Sequence, residues 1–125
     1  MELQGTQWIG SQPSRERTET FHAYNPATGE LLPQAFHEAS AAEIDAAVRL
    51  AEQAFVDYRQ CSREEKAAFL NAIGEEIMAL GDELLQQCHL ESALPLKRLK
   101  GERGRTVNQL KLFAKVVREG SWVDA

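Results

Sequence analysis

A polar block in the C-terminal third of the chain, Gly101-Glu102-Arg103-Gly104-Arg105-Thr106, holds residue types suited to ligand binding. It interrupts apolar residues that repeat at helical spacing on both sides. Glycine lets a ligand approach the backbone closely, and arginine offers a planar fork of donors that suits a carboxylate or a phosphate. Each glycine also costs about 1 kcal/mol relative to alanine in a helix interior. The block is therefore either a ligand site or a kinked helix with a solvated charged face.

Catalytic and metal-binding patterns elsewhere are weak. Cys88 and His89 are adjacent, but neighbours on a helix diverge by about 100° and do not face each other. We expect a buried cysteine beside an exposed histidine there, rather than a thiolate–imidazole pair. His22, His37 and His89 lack the spacing of zinc ligands, so no metal site is predicted. The sequence contains neither G-x-G-x-x-G nor a P-loop motif.

The charge is distributed unevenly along the 125 residues. Residues 1–96 hold 6 basic and 16 acidic side chains, whereas residues 97–125 hold 8 basic and 3 acidic ones. A basic third attracts an acidic segment, an anionic membrane or nucleic acid. Nucleic acid is disfavoured because no aromatic residues interleave with the basic ones. We expect a basic face that is solvated or paired with an acidic part of the same protein.

Length and composition indicate one modest globular domain, since 43% of the residues are hydrophobic and 26% are charged. No apolar run approaches the roughly 20 residues that span a bilayer, and no secretory signal is recognisable at the N-terminus. Cys61 and Cys88 are too few for a disulfide framework. A cytoplasmic protein with two free thiols is therefore predicted.

The local patterns predict a mainly α fold with short N-terminal β strands. Residues 1–38 read as strands and turns, with strands at 6–9, 18–24 and 31–36. Residues 39–125 read as four helices, beginning near Ser40, Ser62, Asp82 and Pro95. Capping boxes, Ser40-Ala41-Ala42-Glu43 and Ser62-Arg63-Glu64-Glu65, open the first two. The whole of 1–125 is expected to form a single segment.

Apolar residues spaced for one helix face predict what the first two helices bury. In the first helix they are Ile44, Ala47, Val48, Ala51, Phe55 and Tyr58. In the second they are Phe69, Leu70, Ile73, Ile77 and Leu80.

Taken together, these elements resemble the N-terminal portion of the aldehyde dehydrogenase superfamily, over about residues 6–125. The resemblance rests on motifs in the family order: Trp8-Ile9-Gly10, Tyr24-Asn25-Pro26-Ala27-Thr28-Gly29-Glu30, Ala46-Ala47-Val48 through Phe55, Glu65-Lys66-Ala67-Ala68-Phe69-Leu70 and Glu91-Ser92-Ala93-Leu94-Pro95. The later segments, His89 to Pro95 and Asn108 to Ala114, are similar to α-ketoglutaric semialdehyde (2,5-dioxopentanoate) dehydrogenases and NADP-dependent fatty aldehyde dehydrogenases. The ending, Val116 to Ala125, favours the ketoglutaric semialdehyde side.

The resemblance implies an α/β parent fold and a known reaction. A cysteine attacks the aldehyde, the thiohemiacetal gives hydride to NAD or NADP, and water hydrolyses the thioester. Family members are several-fold longer, and their nucleophile, general base and cofactor-binding strands lie beyond the segment matched here. We therefore expect an incomplete N-terminal fragment with no catalytic and no cofactor-binding residues of its own, inactive alone. The complete enzyme is expected to take a small aldehyde and to form a homodimer or homotetramer.

The resemblance also implies a role for two residues of the polar block. In the family, this helix forms part of the wall of the aldehyde entrance tunnel, and Gly101 and Arg105 would face the tunnel one turn apart. Arg105 suits a substrate with a carboxylate remote from the aldehyde. The alternative is an Arg105–Glu102 pair at i,i+3, worth about 0.2–0.5 kcal/mol. For the chain as a whole, the alternative function is a stand-alone, non-catalytic helical protein-interaction module.

Overall fold

A computed structural model describes residues 3–123 and confirms a mainly helical fold with short strands in its N-terminal part. The described residues form four strands and four helices: β1 (Gln7–Ile9), β2 (Gln12–Ser14), β3 (Thr20–Asn25), β4 (Glu30–His37), α1 (Ala41–Tyr58), α2 (Arg63–Ala79), α3 (Gly81–Ser92) and α4 (Leu96–Glu119). Asp124 and Ala125, which belong to the predicted family-like ending, lie outside the described residues.

The strands form two antiparallel hairpins, β1–β2 and β3–β4. The prediction of three strands was wrong, because β2 occupies a stretch that reads as a strand breaker. Gly10 and Ser11 both have positive φ, 56° and 69°, which is the geometry of a two-residue hairpin loop. Pro13 lies opposite Trp8 on the outer strand, where its missing N–H costs no ladder hydrogen bond. The loop therefore sets the hairpin where strand propensity is poor.

The contacts divide the chain into two compact units, one ending at Gln60 and the other beginning at Cys61. The first contains both hairpins and α1, and the second contains α2, α3 and α4. The sequence-based division at residues 38 and 39 falls inside the first unit. A single segment over 1–125 stays a prediction.

In the second unit, α2 packs along α4. The side chains most buried there are small or aliphatic: Ala67, Leu85, Leu99, Val107 and Ala114. Gly74 of α2 is also buried, and a methyl group placed on it would lie 3.5 Å from Cγ1 of Val107. Small residues therefore let the two helices approach closely. Phe69 and Leu80 were wrongly predicted to lie on the buried face of α2, since they are 55% and 42% exposed.

The apolar side chains of α1 lie exposed, contrary to what their spacing predicts. Ile44, Val48 and Phe55 are 55%, 63% and 59% exposed, and all residues from 51 to 58 are exposed. The 3.6-residue period is real, but the described residues do not cover this face. Amphipathic spacing shows which face can be buried and leaves open what buries it.

Local capping signals set the helix starts. Both predicted capping boxes are confirmed: Ser40 Oγ accepts from the N–H of Glu43 and Ser62 Oγ from that of Glu65. In return, each glutamate carboxylate accepts from the N–H of its serine. Asp82 was wrongly predicted to cap α3, because α3 begins at Gly81 and its cap position, Leu80, makes no side-chain hydrogen bond. Asp82 instead stands in the first turn, where a carboxylate favours the helix dipole.

Candidate functional site

The polar block lies inside α4, which runs for 24 residues without a break. Pro95 immediately precedes the helix with φ −59°, a value already suited to helix entry. Gly120 ends it in the left-handed region at φ 77°, donating its N–H to the carbonyl of Val116. Because the helix is fixed at both ends and packed on α2, it carries the two internal glycines without stopping.

Gly101 and Gly104 have open space where a side chain would be. A Cβ placed on either would meet no heavy atom within 4 Å outside its own helical neighbourhood. Close packing within the described residues therefore does not explain why these two positions are glycine. Gly101 lies one turn before Arg105, so the two share a face of α4, as the sequence predicts.

Arg105 makes the short-range ion pair that was the alternative to ligand binding. Its Nη2 lies 2.9 Å from Oε2 of Glu102, and its Nε donates to the same oxygen at 3.1 Å. The side chain of Arg105 is nevertheless 81% exposed. One carboxylate oxygen occupies only part of the guanidinium fork, and the remaining donors face solvent.

Arg105 also lines a shallow groove of about 430 Å³ along α4. The other lining residues are Thr106, Gln109, Leu110 and Phe113. Sequence reasoning did not select Gln109 and Phe113, although their positions four and eight residues after Arg105 place them on adjoining parts of the helix surface. A cation, an amide and an aromatic ring in one groove suit a small organic anion with an apolar portion. Role assignments for Gly101 and Arg105 stay predictions.

The second arginine of the block has a structural contact. Nη1 of Arg103 donates to the carbonyl of Gly81 at 2.5 Å, and its side chain is half-buried. This bond fixes α4 to the start of α3, across 22 residues of sequence. The block therefore contains one arginine used for packing and one that faces the groove.

The predicted burial of Cys88 and His89 is reversed. Cys88 is exposed, whereas His89 is half-buried with Nδ1 2.7 Å from the carbonyl oxygen of Leu94. Ala93, which lies between His89 and Leu94 in the sequence, adopts the left-handed conformation that ends α3. This turn brings the carbonyl of Leu94 back to the imidazole ring of His89. Because such a turn is rare for alanine, its position could not be read from residue type.

A buried carboxylate lies in the described part of the first unit. Glu43 is 2% exposed; its Oε1 accepts from Ser14 Oγ at 2.5 Å and from the Glu16 N–H at 3.2 Å, and its Oε2 accepts from the Ser40 N–H at 2.8 Å. The hydrogen bond from Ser14, followed by that from the Ser40 backbone, lowers the pKa of Glu43 against the opposing effect of desolvation. Every bond joins the carboxylate to the chain itself, so this cluster holds β2 to the start of α1.

Metal-binding groups, membrane-spanning helices and parallel sheets are absent from residues 3–123. This part of the chain holds no group of three His, Cys, Asp or Glu side chains that could bind a metal ion. None of its helices is long and apolar enough to cross a membrane. Its sheets are antiparallel hairpins, whereas a dinucleotide site of the Rossmann type needs parallel strands joined through a helix. The sheets of residues 3–123 therefore lack the parallel strands of a Rossmann-type site.

Comparison with known sequences matches this chain to aldehyde dehydrogenases. The model of the "Aldehyde dehydrogenase family" matches residues 13–122. The chain is 44% identical over 126 residues to α-ketoglutaric semialdehyde dehydrogenase 2 of Azospirillum brasilense, covering 100% of this chain and 24% of that protein. It is 35% identical over 124 residues to α-ketoglutaric semialdehyde dehydrogenase of Acinetobacter baylyi, covering 99% and 24%. The chain thus spans about a quarter of the length of these curated relatives.

Solved structures show the same fold. Betaine aldehyde dehydrogenase of Staphylococcus aureus, in complex with NAD+, superposes with a TM-score of 0.85 at 19% identity over 94% of this chain and 24% of that chain. An NAD-dependent benzaldehyde dehydrogenase of Corynebacterium glutamicum gives a TM-score of 0.65 at 19% identity, again over 94% and 24%. These elements therefore correspond to about a quarter of a larger fold.

Proposed function

The chain belongs to the aldehyde dehydrogenase family, and from that membership we propose that it supplies one wall of the aldehyde channel in an NAD(P)-dependent enzyme. The proposed reaction oxidises α-ketoglutaric semialdehyde to 2-oxoglutarate. The observation that supports this substrate is the 44% identity, over the whole chain, to a relative named for that aldehyde.

The groove along α4 supports the same substrate class. α-Ketoglutaric semialdehyde carries a carboxylate at the end remote from its aldehyde, and the exposed guanidinium of Arg105 is a matching partner. In this proposal Arg105 holds that carboxylate, and Gly101, one turn earlier, leaves room for the substrate to pass. Gln109 adds an amide on the same groove. These residues bind and orient the substrate.

The remaining chemistry belongs to parts of the enzyme outside this chain. The sheets of the described residues are antiparallel hairpins, whereas a Rossmann-type dinucleotide site needs parallel strands joined through a helix, and Cys88 is exposed on α3. We therefore propose that NAD or NADP and the nucleophilic cysteine are held by the other three quarters of the fold. The complete enzyme is proposed to be a homodimer or homotetramer.

The first test uses the purified 125-residue chain. With α-ketoglutaric semialdehyde and either NAD+ or NADP+, we expect no formation of the reduced cofactor at 340 nm. Sustained reduction that depends on the aldehyde would overturn the assignment of catalysis to other parts of the fold.

The second test asks whether Arg105 selects the substrate. The chain replaces the segment that it matches in the Azospirillum brasilense relative, and the chimera is assayed with α-ketoglutaric semialdehyde and with a neutral aldehyde of the same length. We expect Arg105→Leu to raise KM for the carboxylated aldehyde by roughly tenfold or more, since a hydrogen bond to a charged group is worth about 1.5–3 kcal/mol. Lys111→Leu is the matched control, because Lys111 is exposed on the same helix and lies about 120° around it from Arg105. Equal changes of KM for both aldehydes would refute the role of Arg105.

A second candidate function is a stand-alone protein-interaction module, and the exposed apolar side chains of α1 favour it. A monodisperse chain with a sharp thermal transition would support this candidate. A partly molten or aggregating chain, with helix content but weak tertiary packing, would favour the dehydrogenase assignment.

A further inference from the structure

A stripe of lysines runs along α4 on a face separate from the Arg105 groove. At about 100° per residue, Lys97, Lys100, Lys111 and Lys115 fall within a sector of about 60°. All four are exposed, and the ion pairs of residues 3–123 include none of them. The stripe is about 27 Å long at 1.5 Å per residue. It is therefore an aligned set of cations with no partner in the described part of the chain.

Three of the four arginines of α4 are engaged, unlike the lysines of the stripe. Arg103 bonds to the carbonyl of Gly81, Arg105 pairs with Glu102, and Arg118 pairs with Glu64 at 2.6 Å. The excess of basic residues over the last third of the chain is therefore concentrated in the lysine stripe and the exposed Arg98.

Two features of the surface point to a polypeptide as the occupant. Gly104 lies in the middle of the stripe's sector, and a Cβ there would meet nothing within 4 Å, so another helix can approach α4 closely at that point. At its N-terminal end, Lys97 and Lys100 border a cavity of about 300 Å³ that is also lined by Leu85, Leu96, Gln86 and Asp82. That cavity is large enough for one apolar side chain.

We propose that the lysine stripe, Lys97, Lys100, Lys111 and Lys115, docks an acidic helical segment of a polypeptide. Its carboxylates pair with the four lysines, its backbone crosses at Gly104, and an apolar side chain near one end enters the cavity beside Leu85. An anionic membrane surface is a competing occupant, because α4 also exposes Leu112, Phe113 and Val116, and binding of phosphatidylserine vesicles distinguishes the two. Nucleic acid fits less well, because the stripe contains no aromatic side chain for base stacking.

The test measures binding to the 125-residue chain by fluorescence anisotropy. The probe is a helical peptide of about 20 residues with glutamates on one face and a leucine near one end. The reference peptide has the same composition with its glutamates spread around the helix. We expect tighter binding of the one-faced peptide, and weaker binding as salt rises from about 10 to 150 mM, since the screening length falls from about 30 to 8 Å.

Two variants locate the binding surface. Lys111→Gln with Lys115→Gln is expected to weaken binding by roughly fivefold, whereas the control, Arg15→Gln with Arg49→Gln, removes the same charge from exposed positions of the other unit and should leave binding within twofold. Circular dichroism checks that each variant keeps its helix content. Gly104→Leu retains every charge and favours the helix, so its loss of binding would support close approach at that point.

Three results would overturn the proposal. The first is equal weakening by the lysine pair and the arginine pair, which would mean attraction to overall charge. The second is equal affinity for the two peptides. The third is no peptide binding at low salt, including the case in which phosphatidylserine vesicles or duplex DNA bind through the same lysines.

Discussion

Replacing Gly101 with alanine should stabilise this protein, although the glycine lies in the candidate substrate site. Gly101 is not among the residues with positive φ, and a Cβ there meets no atom within 4 Å. The change therefore brings no clash and recovers helix propensity, worth about 1 kcal/mol. Hydrogen exchange of the α4 amides in the isolated chain measures this locally, and the expected slowing is about fivefold for exchange through opening of the helix.

Two other glycines calibrate the measurement. Gly74→Ala places its methyl 3.5 Å from Cγ1 of Val107, an ordinary contact. We therefore expect it to raise the stability by at least as much as Gly101→Ala. Gly120→Ala should destabilise, because Gly120 has φ 77°, a left-handed conformation that a residue with a Cβ rarely adopts. Faster exchange in Gly101→Ala, with both calibrating variants behaving as expected, would refute the conclusion that Gly101 faces open space.

The same position separates the two interpretations of the polar block. In the chimera with the Azospirillum brasilense relative, Gly101→Leu retains helix propensity and fills the space one turn before Arg105. If Gly101 forms part of the channel, KM for α-ketoglutaric semialdehyde should rise at least several-fold. A solvated helix face predicts unchanged kinetics. Unchanged kinetics together with a stabilised α4 would remove Gly101 from the substrate site.

Three further predictions concern stability and surface chemistry. The pKa of Glu43 is lowered in the folded state, so the Glu43 carboxylate adds to the free energy of unfolding. That stabilisation is fully present above the unfolded pKa of about 4.3 and is lost as pH falls through the folded pKa. Glu43→Gln should therefore flatten the acid side of a pH–stability curve, and an unchanged curve would contradict this. Phe55→Ser with Val48→Ser should reduce both dye binding by the exposed face of α1 and aggregation measured by light scattering, while helix content is retained. With a thiol-specific reagent, Cys88, which is exposed, should react before Cys61, which is half-buried; the reverse order in single-cysteine variants would show that α3 is packed differently.

Signals that act over a few residues were readable in the sequence. The capping boxes at Ser40 and Ser62 each need only a hydroxyl and a glutamate three residues later, and both formed as predicted. The left-handed end of α4 at Gly120 is equally local. The fold class followed from these signals together with helical periodicity and the family resemblance.

Features that depend on distant residues were not readable. β2 exists because a two-residue loop returns the chain onto β1, although Pro13 opposes strand formation. Arg103 bonds across 22 residues to a backbone carbonyl that no residue type marks. The exposed face of α1 is the clearest case: Phe55 has the spacing of a core residue, but it is 59% exposed.

The ion pair between Arg105 and Glu102 does not exclude Arg105 from substrate binding. The pair joins neighbours at i,i+3 on an exposed surface, where such contacts stabilise by about 0.2–0.5 kcal/mol. A substrate carboxylate bound in a less hydrated channel gains about 1.5–3 kcal/mol from a charged hydrogen bond. If Arg105 binds the substrate as proposed, the Arg105–Glu102 pair is broken at a cost of only about 0.2–0.5 kcal/mol. A neutral aldehyde has no carboxylate to replace that of Glu102 and so gains no free energy by displacing it. The Arg105–Glu102 pair is therefore compatible with discrimination between a carboxylated and a neutral aldehyde.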